Sequence, residues 1–145
     1  MDIKIKYFTH PCIKLQDIAV GDWIDIPIPQ DLNLLGTPDK LVPLGVGMQL
    51  PKGYEAHVVP RSSTFKRWGL IQTNHMGVID ESYCGDNDEW KWPCYILVNK
   101  PELRYVPKGT RLCQFRIMKK QPKVNFKTVE HLLNKDRSGF GSTGI

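Results

Sequence analysis

Apolar and polar residues alternate along several short segments of the chain, a pattern typical of β-strands that bury one face. The alternating segments are residues 3–7, 23–26, 54–59 and 111–117. Residues 95–98 are continuously apolar, which predicts a strand buried on both sides. Pro-x-Gly turns at 51–53 and 107–109 each precede a strand and are expected to open hairpins. The pattern predicts an all-β fold.

Helical signals are confined to two short segments. Ser62 and Ser63 offer N-cap hydroxyls ahead of residues 64–68, and Gly69 can end a helix of one or two turns in the left-handed conformation. The spacing of Val129, Leu132 and Leu133 predicts at most one further helical turn.

Length and composition limit the class of protein. The 145 residues correspond to one domain, and contents of 41% hydrophobic and 24% charged residues are those of a globular chain. No apolar run approaches the length of a membrane span, and the first ten residues lack a secretory pattern, so we expect a cytoplasmic protein. The four cysteines are expected to be reduced and show no zinc-site spacing.

The net charge of +5 fits a polyanionic ligand and a solvated surface equally well. Basic residues form no long run with interleaved aromatics, so the sequence predicts no binding of nucleic acid. It predicts no membrane partner either.

Polar residues cluster at places where a strand pattern breaks. Residues 60–63 combine a turn-forming proline, the five donors of Arg61 and two hydroxyls, which suit a phosphate or merely cap a helix. Asp80 follows two apolar residues, so it is either a desolvated carboxylate with a raised pKa that acts as a base, or a turn cap. Gln114 is predicted to share a strand face with Leu112 and Arg116 and to reach a ligand.

The C-terminal segment 138–144 is rich in glycine and follows Arg137. Its backbone can approach phosphate oxygens closely while the arginine clamps their charge. A flexible terminus with an incidental arginine is the alternative.

In this order and spacing, the segments PRSS at 60–63, GVIDESYCG at 77–85, GTRLCQ at 109–114 and GFGSTG at 139–144 resemble the motifs of the trimeric dUTPase family. Members of this family split dUTP into dUMP and pyrophosphate. Residues 22–26 correspond loosely to the family's first motif. The resemblance implies a jelly-roll (β-clip) subunit at 1–134, a glycine-rich C-terminal arm at 135–145, and a homotrimer whose subunits share each active site. It also implies a role in keeping uracil out of DNA and in supplying dUMP for dTMP synthesis.

The resemblance implies a role for each matching residue. Asp80 would activate the attacking water, and Asp25 would anchor a Mg²⁺ ion through water. Tyr83 would pack under the deoxyribose, and Phe140 would close over uracil. The residues implied in binding dUTP are Arg61, Ser62, Ser63, Asn74, Gly77, Ile79, Tyr83, Gln114, Arg137, Phe140, Gly141 and Ser142. Among these, Asn74 and the Gly77 backbone would pair with uracil, while Arg61, Ser62 and Gln114 would hold the phosphates.

Two departures from the family pattern bear on these implications. Lys135 occupies the usual position of the tail arginine, and Arg137 lies closer to Phe140. Residues 86–93 are longer than the common form and similar to some phage and Gram-positive members, and this acidic and aromatic segment is either an exposed loop, a trimer contact or a surface for a regulatory protein.

Two rival functions are considered. The related dCTP deaminases need a glutamate on the strand at 95–99, which is apolar here. A non-enzymatic β-sandwich binding module would use the same polar clusters only as turns.

Overall fold

The computed structural model describes residues 1–18, 20–97 and 105–136. Within these ranges the chain forms short strands and one helix of five residues, which agrees with the predicted all-β class. The elements are β1 (Lys4–Tyr7), β2 (Ile24–Pro27), β3 (Leu32–Asn33), β4 (Asp39–Pro43), β5 (Val46–Gln49), β6 (Tyr54–Pro60), α1 (Thr64–Trp68), β7 (Leu70–Gln72), β8 (Gly77–Asp80), β9 (Lys91–Ile96), β10 (Tyr105–Val106) and β11 (Arg111–Lys119). None of the described helical structure is long and apolar enough to cross a membrane.

The described strands pair in four antiparallel sheets. The largest has the order β2-β11-β6-β8, and a second has the order β4-β9-β7. Two further pairs are β1 with β5 and β10 with β3. Neighbouring strands are mostly distant in sequence, so loops carry the chain repeatedly from one sheet to another.

The core lies between the sheets and is built around large aromatic side chains. Trp90, Trp92 and Phe115 are all buried. The rings of Trp90 and Phe115 meet edge to face, with their centroids 5.3 Å apart. Burial raises the pKa of Cys94 to about 12 and also raises that of Cys113, so both core thiols stay protonated at neutral pH.

The Pro-x-Gly segments are turns, but the expectation that they open hairpins is wrong. Gly53 and Gly109 both have positive φ, and Tyr54 N–H donates to Pro51 O at 3.1 Å. The strands on either side of each turn pair with other partners, because β5 pairs with β1 while β6 pairs with β8 and β11. The turns therefore transfer the chain between sheets.

The segment after residue 85 corrects two expectations. The strand is β9, which begins at Lys91 and not at Tyr95, and it alternates between buried Trp92 and Cys94 and more exposed neighbours. It is therefore not buried on both sides. Its register with β4 places Trp92 opposite Val42 in the core, and Trp90, directly before the strand, is also buried.

The acidic residues of the same segment are also engaged within the chain. Glu89 Oε1 accepts a hydrogen bond from Gly45 N–H at 2.8 Å, and Asp88 Oδ2 accepts one from Gly85 N–H at 2.7 Å. Asp86 and Asn87 stay exposed. A regulatory partner at this segment stays a prediction, and it would meet polar residues here, since neither tryptophan is available at the surface.

The predicted helix at 64–68 is present, and it ends at Gly69 as predicted. Gly69 is left-handed (φ 66°), and its N–H donates to Phe65 O at 2.8 Å. The predicted hydroxyl cap is absent, because neither serine caps the helix: Ser63 is the N-cap residue but makes no side-chain capping bond. The second expected helical turn is also absent: residues 129–133 are not helical, and Leu133 is fully exposed.

Candidate active site

An aspartate and two arginines form an ion-pair cluster at one end of the largest sheet. Asp25 Oδ1 lies 2.8 Å from Arg61 Nε, and Asp25 Oδ2 lies 3.2 Å from Arg111 Nη1. Asp25 is on β2, Arg111 begins β11, and Arg61 directly follows β6. The order of these three strands therefore brings together residues that are up to 86 positions apart in the sequence.

Gln114 lies on the same face as this cluster. It is directly opposite Asp25 on β2 and Val59 on β6, and directly opposite residues share a sheet face. The expectation that Leu112 shares this face is wrong, since the register shifts between Arg111 and Cys113 and both Leu112 and Cys113 are buried.

The turn after β6 is anchored to β11. Arg61 N–H donates to Leu112 O at 3.1 Å, and buried Thr64 Oγ1 donates to the same oxygen at 2.6 Å. Ser62 is exposed beside this anchor, and Ser63 lines a cavity of about 360 Å³. The same cavity is lined by three arginines, which are Arg61, Arg67 and Arg111. Such a concentration of guanidinium groups suits a ligand with several phosphates.

Asp80 lies at the end of β8, and its environment differs from the predicted one. The residue is exposed rather than desolvated, and Ser82 N–H donates to its Oδ1 at 2.7 Å. The Ser82 hydroxyl donates to the same oxygen, and together these hydrogen bonds lower the pKa of Asp80 below its ordinary value. The carboxylate therefore caps a turn and is also fully ionised at neutral pH.

The other predicted base and sugar residues lie on the same β8 segment. Asn74 is exposed in the turn before β8, while Gly77 and Ile79 are half-buried on the strand. Exposed Tyr83 follows Asp80, and its hydroxyl donates to Glu89 O at 3.3 Å. The structure thus gathers Asn74, Gly77, Ile79, Asp80 and Tyr83 into one surface element.

The two groups of residues are far apart within one chain. Asp80 is opposite Glu55 on β6, whereas Gln114 is opposite Val59, four residues further along that strand. This offset is about 13 Å along the strands, and the three strand spacings from β2 to β8 add about 14 Å across them. Asp25 and Asp80 are therefore roughly 19 Å apart, on one face of the sheet.

Some predicted residues lie outside the described ranges. These are Arg137, Phe140, Gly141 and Ser142. Among the residues that are described, no group of three or more His, Cys, Asp or Glu side chains could hold a metal ion.

The structure also shows contributors that the sequence analysis did not assign. Arg111 lay inside the GTRLCQ motif without an assigned role, and its position in that motif was the available signal. Buried Gln72 contacts Asn74 and Trp92, and Ser82 contacts Asp80. A lone amide in the apolar strand Leu70–Gln72 was the available signal for Gln72.

The site thus combines, on an antiparallel β fold, a cavity lined by three arginines with a separate ionised carboxylate, and its charge suits a polyphosphorylated ligand. The family model for dUTPase matches residues 23–144. The chain is 55% identical, over 99% of both sequences, to the SPbeta prophage-derived deoxyuridine 5'-triphosphate nucleotidohydrolase of Bacillus subtilis. It is 36% identical to the deoxyuridine 5'-triphosphate nucleotidohydrolase of Finegoldia magna, with 79% of this chain and 77% of that one covered.

The chain therefore belongs to the dUTPase family, in its phage and Gram-positive form. This confirms the resemblance and the predicted enzyme class. Solved structures agree on the fold: the dUTPase of Staphylococcus bacteriophage 80alpha with dUpNHpp superimposes with a TM-score of 0.78 at 17% identity, with 99% of each chain covered. A mutant dUTPase of phage phi11, solved with a structural Mg(II) ion, gives a TM-score of 0.71 over 90% of this chain and 98% of that one at 15% identity.

Proposed function

We propose that the protein hydrolyses dUTP to dUMP and pyrophosphate by attack of water on the α-phosphorus, with Asp80 as the general base. The observation that carries this proposal is the ionised Asp80 carboxylate, exposed at the end of β8 and held by Ser82. Asp80 takes the proton of the water as its oxygen bonds to phosphorus, and pyrophosphate leaves with the electrons of the broken anhydride bond. No covalent intermediate on a protein side chain is required.

The phosphates bind at the ion-pair cluster. Arg61 and Gln114 hold phosphate oxygens together with the hydroxyl of Ser62, and Ser63 lies in the same cavity. Arg111 is close enough to Asp25 to add a further cation. Positioning and neutralisation of charge are most of what phosphoryl transfer needs from a protein.

A Mg²⁺ ion fits these residues as a companion of the nucleotide. Asp25 supplies one carboxylate, and Mg²⁺ commonly binds through one or two carboxylates, retained waters and substrate phosphates. Asp25 would therefore hold the ion through water, and the ion would neutralise charge on the triphosphate when bound. The two arginines that pair with the Asp25 carboxylate both line the phosphate cavity.

The β8 segment binds the nucleoside. Asn74 and the Gly77 backbone pair with uracil, Ile79 packs beside them, and the Tyr83 ring packs under the deoxyribose. The exposure of Asn74 and Tyr83 leaves both side chains accessible to a ligand.

Each active site is shared between subunits of a homotrimer. A general base must come within about 3 Å of the water, and the water within about 3.5 Å of phosphorus, which is far less than the roughly 19 Å that separates Asp25 from Asp80. The β8 segment of one subunit therefore completes the phosphate cluster of another. Residues 135–145 form an arm distinct from the domain at 1–134, in which Arg137 clamps the phosphates, Phe140 covers uracil, and Gly141 and Ser142 contact phosphate through their backbone. In the cell the reaction keeps uracil out of DNA and supplies dUMP for dTMP synthesis.

The test is pyrophosphate release from dUTP, with and without Mg²⁺, against dCTP, dTTP and UTP. We expect Mg²⁺-dependent release of pyrophosphate from dUTP and none from the other three nucleotides. Sharing of the site is tested by mixing and co-refolding Asp80→Asn with Arg61→Ala, both inactive alone. Mixed trimers should regain part of the activity, because some sites then contain neither substitution. A protein that is active on dUTP and is shown by light scattering to be a monomer would contradict the shared site.

A further inference from the structure

Gln72 is a polar residue in the interior that the proposed reaction does not use. It is the last residue of β7 and only 6% exposed. Its side chain bridges the two larger sheets, since Val58 belongs to β6 and Trp92 to β9. It lies two residues before Asn74, which is expected to read the base.

The hydrogen bonds of Gln72 leave its amide only one orientation. The indole N–H of Trp92 can only donate, and its partner is Gln72 Oε1 at 2.6 Å. Gln72 Nε2 donates to Val58 O at 3.0 Å, and a backbone carbonyl can only accept. A flipped amide would place Nε2 against the indole N–H of Trp92 and Oε1 against the carbonyl oxygen of Val58. Both of these partner groups are buried, where an unmet hydrogen bond is costly.

The fixed amide of Gln72 also fixes the orientation of the Asn74 side-chain amide. The remaining hydrogen of Gln72 Nε2 goes to Asn74 Oδ1 at 2.8 Å. Asn74 must therefore turn its carbonyl oxygen inward and its Nδ2 amino group outward. Consistent with this, Nδ2 lies 3.7 Å from the position that a Cβ on Gly77 would occupy, beside the backbone expected to pair with uracil.

We propose that Trp92 and Gln72 are positioning residues that fix Asn74 as a hydrogen-bond donor and thereby select uracil over cytosine. Uracil carries a carbonyl oxygen at C4, whereas cytosine carries an amino group there, as the base edges of thymine and cytosine differ in DNA. An outward-facing Nδ2 donates to the carbonyl oxygen and opposes the amino group. This inference rests on the proposed function, and it names residues that never touch the substrate.

The test compares kcat/KM for dUTP and dCTP in three variants. Gln72→Met keeps the side-chain length and removes the relay. Trp92→Phe keeps Gln72 but removes the donor that orients it. Trp90→Phe is the matched control, because Trp90 is equally buried while its Nε1 has no hydrogen-bond partner within the described residues.

In Gln72→Met the ratio of kcat/KM for dUTP to that for dCTP should fall by about tenfold or more, the cost of one mismatched polar contact. In Trp92→Phe, where Val58 O still favours one orientation of the Gln72 amide, the ratio should fall by a smaller factor. For dUTP the loss should appear mainly in KM, since the base is bound equally in ground and transition states. The Trp90→Phe variant should lose thermal stability but keep the wild-type ratio.

Two results would overturn the relay while the proposed function stands: an unchanged ratio in the folded relay variants, or an equal fall in all three. Should Gln72→Met not fold, Trp92→Phe against Trp90→Phe decides the matter alone. A wild-type protein that does not release pyrophosphate from dUTP would instead refute the proposed function itself.

Discussion

Replacing Asp80 with asparagine separates catalysis from folding. Asparagine keeps an oxygen that accepts from Ser82 N–H, the bond that measures 2.7 Å in the structure. The residue is exposed, and exposed substitutions that keep their contacts change stability little, so the midpoint of thermal unfolding should stay within about 2 °C. An amide cannot accept the proton of the water, and general-base contributions are typically 10² to 10⁴, so turnover should fall by at least about a hundredfold.

The assay is pyrophosphate release from dUTP in the presence of Mg²⁺, with binding of a non-hydrolysable dUTP analogue measured in parallel. Binding should persist, because the base contributes little to the ground state. Asp86→Asn is a matched control: the Asp86 carboxylate is 95% exposed, and its one ion pair among the described residues is an exposed contact of 3.3 Å with Lys6, so activity should be unchanged. Near wild-type turnover by a folded Asp80→Asn protein would refute the assignment of the base.

Three further outcomes are expected. Ser82→Ala removes one hydrogen bond that favours ionised Asp80, so the pKa of Asp80 should rise toward the ordinary 3.8 and the acid limb of the kcat/KM profile should move to higher pH. In the wild type, the stabilisation of the fold by this hydrogen bond is complete above pH 3.8 and is lost only as the pH falls through the lower pKa of Asp80 in the folded state. Gly45→Ala should lower the free energy of unfolding by about 2 to 5 kcal/mol in denaturant titration, because φ is +70° and the new Cβ would lie 2.8 Å from the ring of Pro29. Gly53→Ala, with φ +83° and open space around the new Cβ, should cost only about 1 to 2 kcal/mol, and equal losses in the two variants would contradict the steric argument. Arg137→Ala should lower turnover on dUTP strongly without changing the melting temperature, and normal activity would show that another cation clamps the phosphates.

Local patterns predicted β1, β2, β6, β11 and the short helix, because alternation and glycine stops depend only on neighbours in sequence. The hairpins expected at 51–53 and 107–109 were wrong for a related reason: a turn shows where the chain bends and not which strand it pairs with afterwards. The burial of Trp92 was also not predictable locally, since it follows from pairing of β9 with β4, about fifty residues earlier.

The candidate site was predictable as a set of motifs but not as an arrangement. Asp80 was expected to be desolvated because two apolar residues precede it, yet β8 lies at the edge of its sheet and the carboxylate meets Ser82 and solvent. The Asp25–Arg111 ion pair depends on the register of β2 with β11 and has no local signature. The roles of the site residues themselves stay predictions.

Strand β11 is the last described strand to leave the ribosome, yet it lies inside its sheet between β2 and β6. Both of these partners are synthesised long before and must wait, with unpaired edges, until residues 111–119 arrive. Pairing over such sequence separations is slow, so the complete sheet and the phosphate cluster should form only after residues 111–119 have been synthesised. Premature termination before residue 111 would thus yield chains with two open sheet edges, which are prone to aggregate and have no residual activity.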